Sequence, residues 1–174
     1  INNLAVANFA QIAKDKSIKL VHISTDYVFD GTNYKPYVET DSPNPQSVYG
    51  QTKLDGELAI KTINPLNSVI LRTSWVYSKF GDNFVKTMLR LAETRDKLNV
   101  VADQIGTPTN AADLAKTILI ILPKIKNDSV ELYHYSNEGE CSWHDFAIEI
   151  FEIKNIKINV IPISTNGYKF KANR

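Results

Sequence analysis

Apolar residues recur along the chain with two different periods. Helical spacing predicts five helices, and short apolar runs rich in β-branched residues predict five strands between them. The helices fall at 2–14, 46–63, 83–93, 110–122 and 142–151, and the strands at 19–23, 68–73, 98–101, 130–135 and 158–161. Most of these strands lack a clean polar alternation, which is typical of strands buried on both faces. The alternation of strands and helices therefore predicts an α/β protein with a parallel sheet.

The connection between the first predicted strand and the second predicted helix, 26–46, is unusually long. A structureless connection of about twenty residues in a compact domain is often functional, although a mobile surface insertion is the alternative. The turn-forming pairs Asp30-Gly31 and Lys35-Pro36 lie within it. Its aromatic residues favour function, because they would be wasted on a solvated tether: Tyr27, Phe29, Tyr34 and Tyr37.

Composition excludes several classes of partner. The chain has 174 residues, of which 43% are hydrophobic, enough for the core of one ordinary domain. Twenty basic and nineteen acidic residues nearly cancel, and no block of like charges forms a surface for nucleic acid or anionic membrane. The lone Cys141 and three scattered histidines give neither an intrachain disulfide nor a metal-binding spacing. This cysteine content fits a reducing, cytoplasmic setting, and no run of about eighteen apolar residues indicates membrane insertion.

Both ends of the sequence lack the signals of a complete protein. The first residue is Ile1, and a helical stripe of apolar residues starts at Leu4. The last residues, 171–174, carry no capping or turn signal that would end a final helix. We therefore expect truncation at both ends.

Tyr49 and Lys53 are the candidate centre of the chemistry. They lie four residues apart on a predicted helix, so their side chains project from one face. That spacing alone is weak, since an exposed tyrosine beside a solvated lysine would give it too. The surroundings strengthen it, because the strand at 19–23 leads directly into Ser24, Thr25 and Asp26. Open α/β sheets bind ligands at the carboxyl ends of their strands, where a hydroxyl, a phenol and an ammonium could converge.

Such a group of side chains suits the reduction of a ketone. Hydride from a nicotinamide leaves an alkoxide, which needs a proton from a group within hydrogen-bond reach. A nearby ammonium favours the phenolate form of a tyrosine and eases release of its proton, and Lys53 is placed to act in this way. Thr25 would donate a hydrogen bond to the carbonyl oxygen on which negative charge develops.

Several segments resemble the dTDP-4-dehydrorhamnose reductases of the extended short-chain dehydrogenase/reductase superfamily. They are Ser24-Thr25-Asp26-Tyr27-Val28-Phe29-Asp30-Gly31, Val48-Tyr49-Gly50-Gln51-Thr52-Lys53-Leu54-Asp55-Gly56-Glu57, Arg72-Thr73-Ser74-Trp75-Val76-Tyr77, Gly81-Asp82-Asn83-Phe84 and Asp103-Gln104-Ile105-Gly106-Thr107-Pro108-Thr109. The resemblance implies a partial Rossmann-type parallel sheet. Residues 1–75 would be the C-terminal part of the dinucleotide-binding domain with the catalytic residues. Residues 76–174 would be mainly a smaller α/β substrate-binding portion, interleaved with the Rossmann sheet.

The resemblance also implies an activity, the reduction by NADPH or NADH of the 4-keto group of dTDP-4-dehydro-6-deoxy-L-mannose to give dTDP-L-rhamnose. In this reading Tyr49 is the catalytic acid, Thr25 the catalytic hydroxyl, and Tyr49 and Lys53 contact the cofactor, Lys53 through the nicotinamide ribose. Many relatives form homodimers, which makes a homodimer the expected assembly.

The same resemblance implies the substrate contacts. Thr25, Asp26 and Trp75 match residues that contact the deoxysugar nucleotide, and Asn83 and Gln104 are assigned to the substrate cleft. Trp143 receives no such support and is interpreted as core packing. The three histidines, His22, His134 and His144, are interpreted as structural.

One feature of the family is missing. None of the seven glycines forms the Gly-x-Gly-x-x-Gly or Gly-x-x-Gly-x-x-Gly loop that lets backbone N–H groups approach a pyrophosphate. We therefore expect this chain to be inactive by itself. Some relatives bind Mg²⁺ through an acidic residue soon after a Gly-x-Pro-Thr segment, but Asn110-Ala111-Ala112 follows that segment here, so no metal site is carried over.

Two alternatives stay open. The regulatory subunit of methionine adenosyltransferase resembles the same reductases and keeps a similar loop after the first strand, but lacks the pattern around Trp75. Sugar-nucleotide epimerases and dehydratases share the Tyr-x-x-x-Lys helix but not the contexts of Trp75 and Gln104.

Overall fold

The computed structural model describes residues 1–167. The expectation about the end of the chain at 171–174 lies outside them. The helices are α1 (Leu4–Lys16), α2 (Val48–Ile63), α3 (Phe84–Ala92), α4 (Ala111–Ile121) and α5 (Trp143–Ile153). The strands are β1 (Leu20–Thr25), β2 (Ser68–Thr73), β3 (Val76–Tyr77), β4 (Lys97–Val101), β5 (Ile105–Gly106), β6 (Thr109–Asn110), β7 (Glu131–His134), β8 (Cys141–Ser142) and β9 (Asn159–Ile163). Short 3-10 turns occupy Asp26–Val28, Leu122–Lys124 and Thr165–Gly167.

The predicted α/β class is confirmed, and each predicted helix and strand is present with its ends displaced by at most two residues. The prediction missed β3, β5, β6 and β8. Each of these strands has two residues, and two residues are too few to show a hydrophobic period.

The described residues form two compact units. The first unit comprises Ile1–Thr73 and Ala115–Tyr135, and the second comprises Ser74–Leu114 and the described residues from Ser136 onward. Within residues 1–167 the chain therefore passes from the first unit to the second, back to the first, and again to the second. How the two units share cofactor and substrate binding stays a prediction.

The first unit is built on a three-stranded parallel sheet in the order β1-β2-β7. The central strand, β2, is buried along its whole length, which explains its continuous apolar run. Leu20 pairs with Ser68 and Thr25 with Thr73, so β1 and β2 end at the same edge. Ala10 of α1, Ile60 of α2 and Ile70 of β2 are fully buried together.

The second unit has smaller sheets. β4 and β9 pair in parallel, β3 and β6 pair in parallel, and β5 and β8 pair antiparallel. Its core cluster lies among α3, α5 and β4 and includes Met88, Leu98, Ala147 and Phe151. A capping box starts α5, because the Ser142 hydroxyl accepts from the Asp145 N–H while the Asp145 carboxylate accepts from the Ser142 N–H.

Within residues 1–167, no helix has the length and apolar character needed to cross a membrane.

Candidate active site

The start of α2 lies directly against the turn that follows β1. The Ser47 side chain caps α2 by accepting from the Gly50 N–H at 3.1 Å. Gly50 is buried against the Tyr27 carbonyl oxygen, at a position where a β-carbon would overlap that oxygen. Glycine at position 50 thus lets the first turn of α2, with Tyr49, approach the backbone just after Thr25.

The Lys53 amine is fixed to β1. Its Nζ donates to the Ile23 carbonyl oxygen at 2.5 Å and lies 3.5 Å from His22 Nε2. Burial and the nearby Lys53 charge lower the pKa of His22 to about 4, so at neutral pH this histidine is uncharged and its ring can accept a hydrogen bond from the ammonium. The amine is therefore held to the backbone two residues before Thr25.

Two effects act on the charge of Lys53. Burial lowers the pKa of the Lys53 ammonium, and the nearby Glu57 carboxylate opposes this by raising it. The lysine is only partly buried, so it stays within reach of a ligand at the edge of the sheet.

Tyr49 presents its phenol at the surface. Its ring meets the Tyr27 ring edge-on, with centroids 5.6 Å apart and an interplanar angle of 85°. The residue is 48% exposed. The phenol therefore stands beside the turn after β1 and outside the core. A proton donor must be accessible in this way to reach a bound substrate.

Thr25 and Asp26 form a hydrogen-bonded pair at the end of β1. The Thr25 hydroxyl donates to Asp26 Oδ1 at 3.0 Å and accepts from the Tyr27 N–H at 3.3 Å. Thr25 itself is buried. Burial raises the pKa of Asp26 to about 6, although hydrogen bonds from Thr25 and from backbone N–H groups pull it down. The Thr25 hydroxyl has a single hydrogen, so it must turn away from Asp26 to donate to another acceptor.

A buried ionic network lies beneath these residues. The Ser24 hydroxyl donates to Glu57 Oε1 at 2.5 Å, and Arg72 donates to Glu57 through Nε at 3.0 Å and Nη2 at 2.7 Å. Glu57 is fully buried and Arg72 nearly so. The Arg72 guanidinium also lies 5.0 Å from the centre of the Phe29 ring.

Glu57 and Arg72 lie in two of the motifs that resemble the family, but no role was predicted for either residue. Two signals were available. Glu57 follows Lys53 by four residues and Tyr49 by eight, so it belongs to the same face of α2. Arg72 directly follows the apolar run Val69-Ile70-Leu71 of a strand, where an unpaired charge would be costly. His22 was interpreted as structural, and its contact with Lys53 places it beside the candidate catalytic residues.

The long connection 26–46 is held in place by polar contacts. The Asp30 carboxylate accepts from Thr32, Tyr37 and Asn44, and these hydrogen bonds keep the pKa of Asp30 well below its usual range. The Phe29 and Tyr37 rings stack with centroids 4.2 Å apart.

The connection is also tied to β7. The Glu39 carboxylate accepts from the His134 N–H at 2.9 Å, and His134 Nδ1 lies 3.2 Å from the Tyr37 carbonyl oxygen. The segment is therefore anchored at both ends of its aromatic stretch, and a loosely tethered insertion does not describe it. Its part in ligand binding stays a prediction.

Trp75 lies in the second unit and has an unusual backbone. Its φ of 47° falls in the left-handed region, which costs a non-glycine residue on the order of 1 kcal/mol or more. Its ring stacks on Trp143 with centroids 3.5 Å apart and an interplanar angle of 11°. Gly106 lies against the other part of the indole, with no room for a β-carbon.

These contacts make Trp75 a fixed, half-buried aromatic surface. Trp143 also packs against Phe84, with ring centroids 4.6 Å apart, and against the core cluster of the second unit. Trp143 thus packs on the core and also supports Trp75, a contact that the sequence did not reveal.

The other two predicted substrate residues have their amides engaged within the second unit. Asn83 caps α3 through Oδ1, which accepts from the Lys86 N–H, and its Nδ2 donates to the Ser78 carbonyl oxygen at 2.7 Å. Gln104 Nε2 donates to Thr165 Oγ1 at 3.1 Å. These bonds give both residues a local structural role, and a role toward substrate stays a prediction.

The candidate site residues thus belong to two different units. Thr25, Asp26, Tyr49 and Lys53 belong to the first unit, around the end of β1. Trp75, Asn83 and Gln104 belong to the second. The first group has the hydroxyl, phenol and ammonium that a carbonyl reduction requires, and the second offers an aromatic surface and amides.

The described fold matches that of solved short-chain-type reductases. The dTDP-4-dehydrorhamnose reductase of Clostridium acetobutylicum superposes with a TM-score of 0.92 at 44% identity, over 100% of this chain and 60% of that protein. The dTDP-4-dehydrorhamnose reductase of Bacillus anthracis, in complex with NADP, superposes with a TM-score of 0.89 at 44% identity, over 97% of this chain and 59% of that protein.

The sequence comparisons define the family. The model of the RmlD substrate binding domain matches residues 1–174. A dTDP-4-dehydrorhamnose reductase of Sinorhizobium fredii is 46% identical over 182 residues, which cover 100% of this chain and 61% of that protein. The chain belongs to the RmlD substrate binding domain family, and the predicted resemblance to dTDP-4-dehydrorhamnose reductases is confirmed. It spans about three fifths of the length of these relatives.

Proposed function

We propose that the full-length protein containing this chain reduces the 4-keto group of dTDP-4-dehydro-6-deoxy-L-mannose to give dTDP-L-rhamnose, with NADPH or NADH as reductant. The observation that carries the proposal is the geometry at the end of β1. The Lys53 amine is bonded to the Ile23 carbonyl oxygen, and the Tyr49 phenol stands exposed beside the turn that follows Thr25. The names of the relatives supply the substrate.

The residues present fit a nicotinamide cofactor in part. Lys53 is a partly buried ammonium at the carboxyl edge of a parallel sheet. It has three hydrogens to donate, and the Ile23 oxygen and the His22 ring accept two of them, which leaves one for a ligand. Lys53 and Tyr49 would hold the nicotinamide ribose, and the bound nicotinamide would supply the hydride. The chain itself contains no glycine-rich loop for a pyrophosphate, so we propose that this chain alone is inactive.

The chain's own residues would supply the proton to the substrate oxygen and stabilise the negative charge that develops. The Tyr49 phenol would give its proton to the substrate oxygen, and the Lys53 ammonium would stabilise the phenolate that remains. The Thr25 hydroxyl would donate to the same oxygen once its hydrogen turns away from Asp26. Trp75 would offer to the nucleotide sugar the part of its indole that Trp143 and Gly106 leave uncovered.

Substitution of Tyr49 tests this assignment. In the full-length protein, Tyr49→Phe removes the proton donor while keeping the ring, and we expect turnover to fall about a hundredfold or more. The assay follows NADPH oxidation with the keto-sugar as substrate. Tyr133→Phe is the matched control, because Tyr133 on β7 is 47% exposed and its hydroxyl donates to Glu131, and this variant should keep normal turnover. Undiminished turnover in Tyr49→Phe would exclude Tyr49 as the acid.

A further inference from the structure

We propose that Glu57, together with Arg72 and Ser24, is a positioning group that sets where Tyr49 and Lys53 stand relative to the end of β1. The inference rests on the proposed reductase function, which it deepens. None of the three residues is expected to touch the substrate, because their side chains are buried and bonded to one another.

The placement of Glu57 supports this role. On α2, Lys53 and Glu57 are separated by one helical turn and Tyr49 and Glu57 by two, so all three share a face. From that face Glu57 reaches two strands at once. It accepts from Ser24 of β1, the neighbour of Thr25, and from Arg72 of β2, the neighbour of Thr73.

Hydrogen bonds of this kind fix geometry better than apolar packing does. Apolar contacts between a helix and a sheet are non-directional, whereas two parallel N–H···O bonds between an arginine and a carboxylate constrain both position and orientation. Gly50 fixes the start of α2 against Tyr27, and Glu57 fixes it again two turns later. Lys53 lies between these two fixed points.

Stability alone does not explain the buried Glu57–Arg72 ion pair. A buried ion pair is weak evidence for stability, because desolvating both charges offsets most of their attraction. Replacing both partners by uncharged groups of similar volume often leaves stability unchanged. A role in position and charge therefore explains the pair better than a role in holding the fold together.

Glu57 also acts on the charge of Lys53. Burial lowers the pKa of the Lys53 ammonium and Glu57 raises it. His22 on β1 lies 3.5 Å from this amine, Glu57 on α2 acts on its charge, and Arg72 on β2 pairs with Glu57. Asp26 lies in the turn that packs against α2. His22 is uncharged at neutral pH, since its pKa is about 4. Removing the Glu57 charge should therefore let Lys53 lose its proton at lower pH.

The test uses Glu57→Gln in the full-length protein, with Glu149→Gln on α5 as an exposed control. We expect kcat to fall about tenfold or more, while KM for the keto-sugar changes less, because a small displacement of reacting groups acts on the chemical step. The alkaline limb of the kcat profile should shift to lower pH. Glu57→Asp, which keeps the charge, should retain the alkaline limb of the parent.

A double variant distinguishes a positioning role of Glu57 from a loss of activity caused by unfolding. Glu57→Gln leaves the Arg72 guanidinium buried without its counter-charge, which is destabilising. Glu57→Gln with Arg72→Met removes both charges and should regain thermal stability, yet kcat and the alkaline limb should remain altered. If the double variant instead recovers the parental kcat and pH profile, the network is only structural and the inference is wrong.

The outcome is separable from that of the proposed function. If the full-length parent does not reduce the keto-sugar, the proposed function fails. The effect of Glu57 can still be read by an NMR titration of the Lys53 amine in the parent and in Glu57→Gln. An unchanged titration midpoint would contradict the electrostatic coupling, and a lower midpoint in the variant would support it.

Discussion

Gly50→Ala should separate α2 from the turn after β1 and so misplace Tyr49. A β-carbon at position 50 would overlap the Tyr27 carbonyl oxygen. Backbone cannot rotate out of the way, so the two segments must part by about 1 Å to restore ordinary contact, and a displacement of that size costs roughly a hundredfold in rate. We therefore expect kcat of the full-length protein to fall by about two orders of magnitude.

The effect on stability should be smaller. Alanine gains about 1 kcal/mol over glycine in a helix interior, and overpacking costs about 1–3 kcal/mol. The net loss should be about 1 kcal/mol, measured by chemical denaturation. Activity and stability should therefore be affected very unequally.

Ala147→Val is the matched overpacking control. Ala147 lies on α5 and is fully buried in the core cluster of the second unit, so an added methyl group there crowds a helix without touching α2. We expect a similar loss of stability but kcat within about threefold of the parent, because the turn after β1 is not touched. Equal kcat values in the two variants would refute the reasoning.

Two further predictions concern Asp26 and Trp75. Burial raises the pKa of Asp26 from 3.8 to about 6, so ionisation of Asp26 costs folding free energy as pH rises through that window, and the full cost persists above pH 6. The stability that Asp26→Asn gains over the parent should therefore be larger at pH 7 than at pH 4, by at most about 3 kcal/mol. A difference in the free energy of unfolding between variant and parent that does not change with pH would contradict this. Gly106→Ala should push the Trp75 ring off its stacked position and raise KM for the keto-sugar more than kcat falls; an unchanged KM would argue against Trp75 as a substrate surface.

The sequence could predict those parts of the site that depend only on the spacing of residues along the chain. Tyr49 and Lys53 share a helix face because four residues make about one turn, and Thr25 follows an apolar strand that must end at the ligand-binding edge. Both statements need only local periodicity and the rule for open α/β sheets.

Sequence could not predict contacts that depend on how elements pack. The pairing of Glu57 with Arg72 requires the register between α2 and β2, and nothing in either segment states it. His22 was likewise indistinguishable from a structural histidine until its ring was found 3.5 Å from Lys53 Nζ. The stacking of Trp75 on Trp143 joins residues 68 positions apart, and the left-handed backbone at Trp75 is not encoded by a glycine.

The central claim is that the Tyr49 phenol is the group that meets the reacting carbonyl. The most direct test is a crystal structure of the full-length protein with NADPH and an unreactive analogue of the keto-sugar. We predict that Tyr49 Oη lies within hydrogen-bond reach, about 2.6–3.2 Å, of the oxygen on carbon 4 of the sugar. A structure in which that oxygen is bound elsewhere, with the phenol facing solvent, would contradict the account.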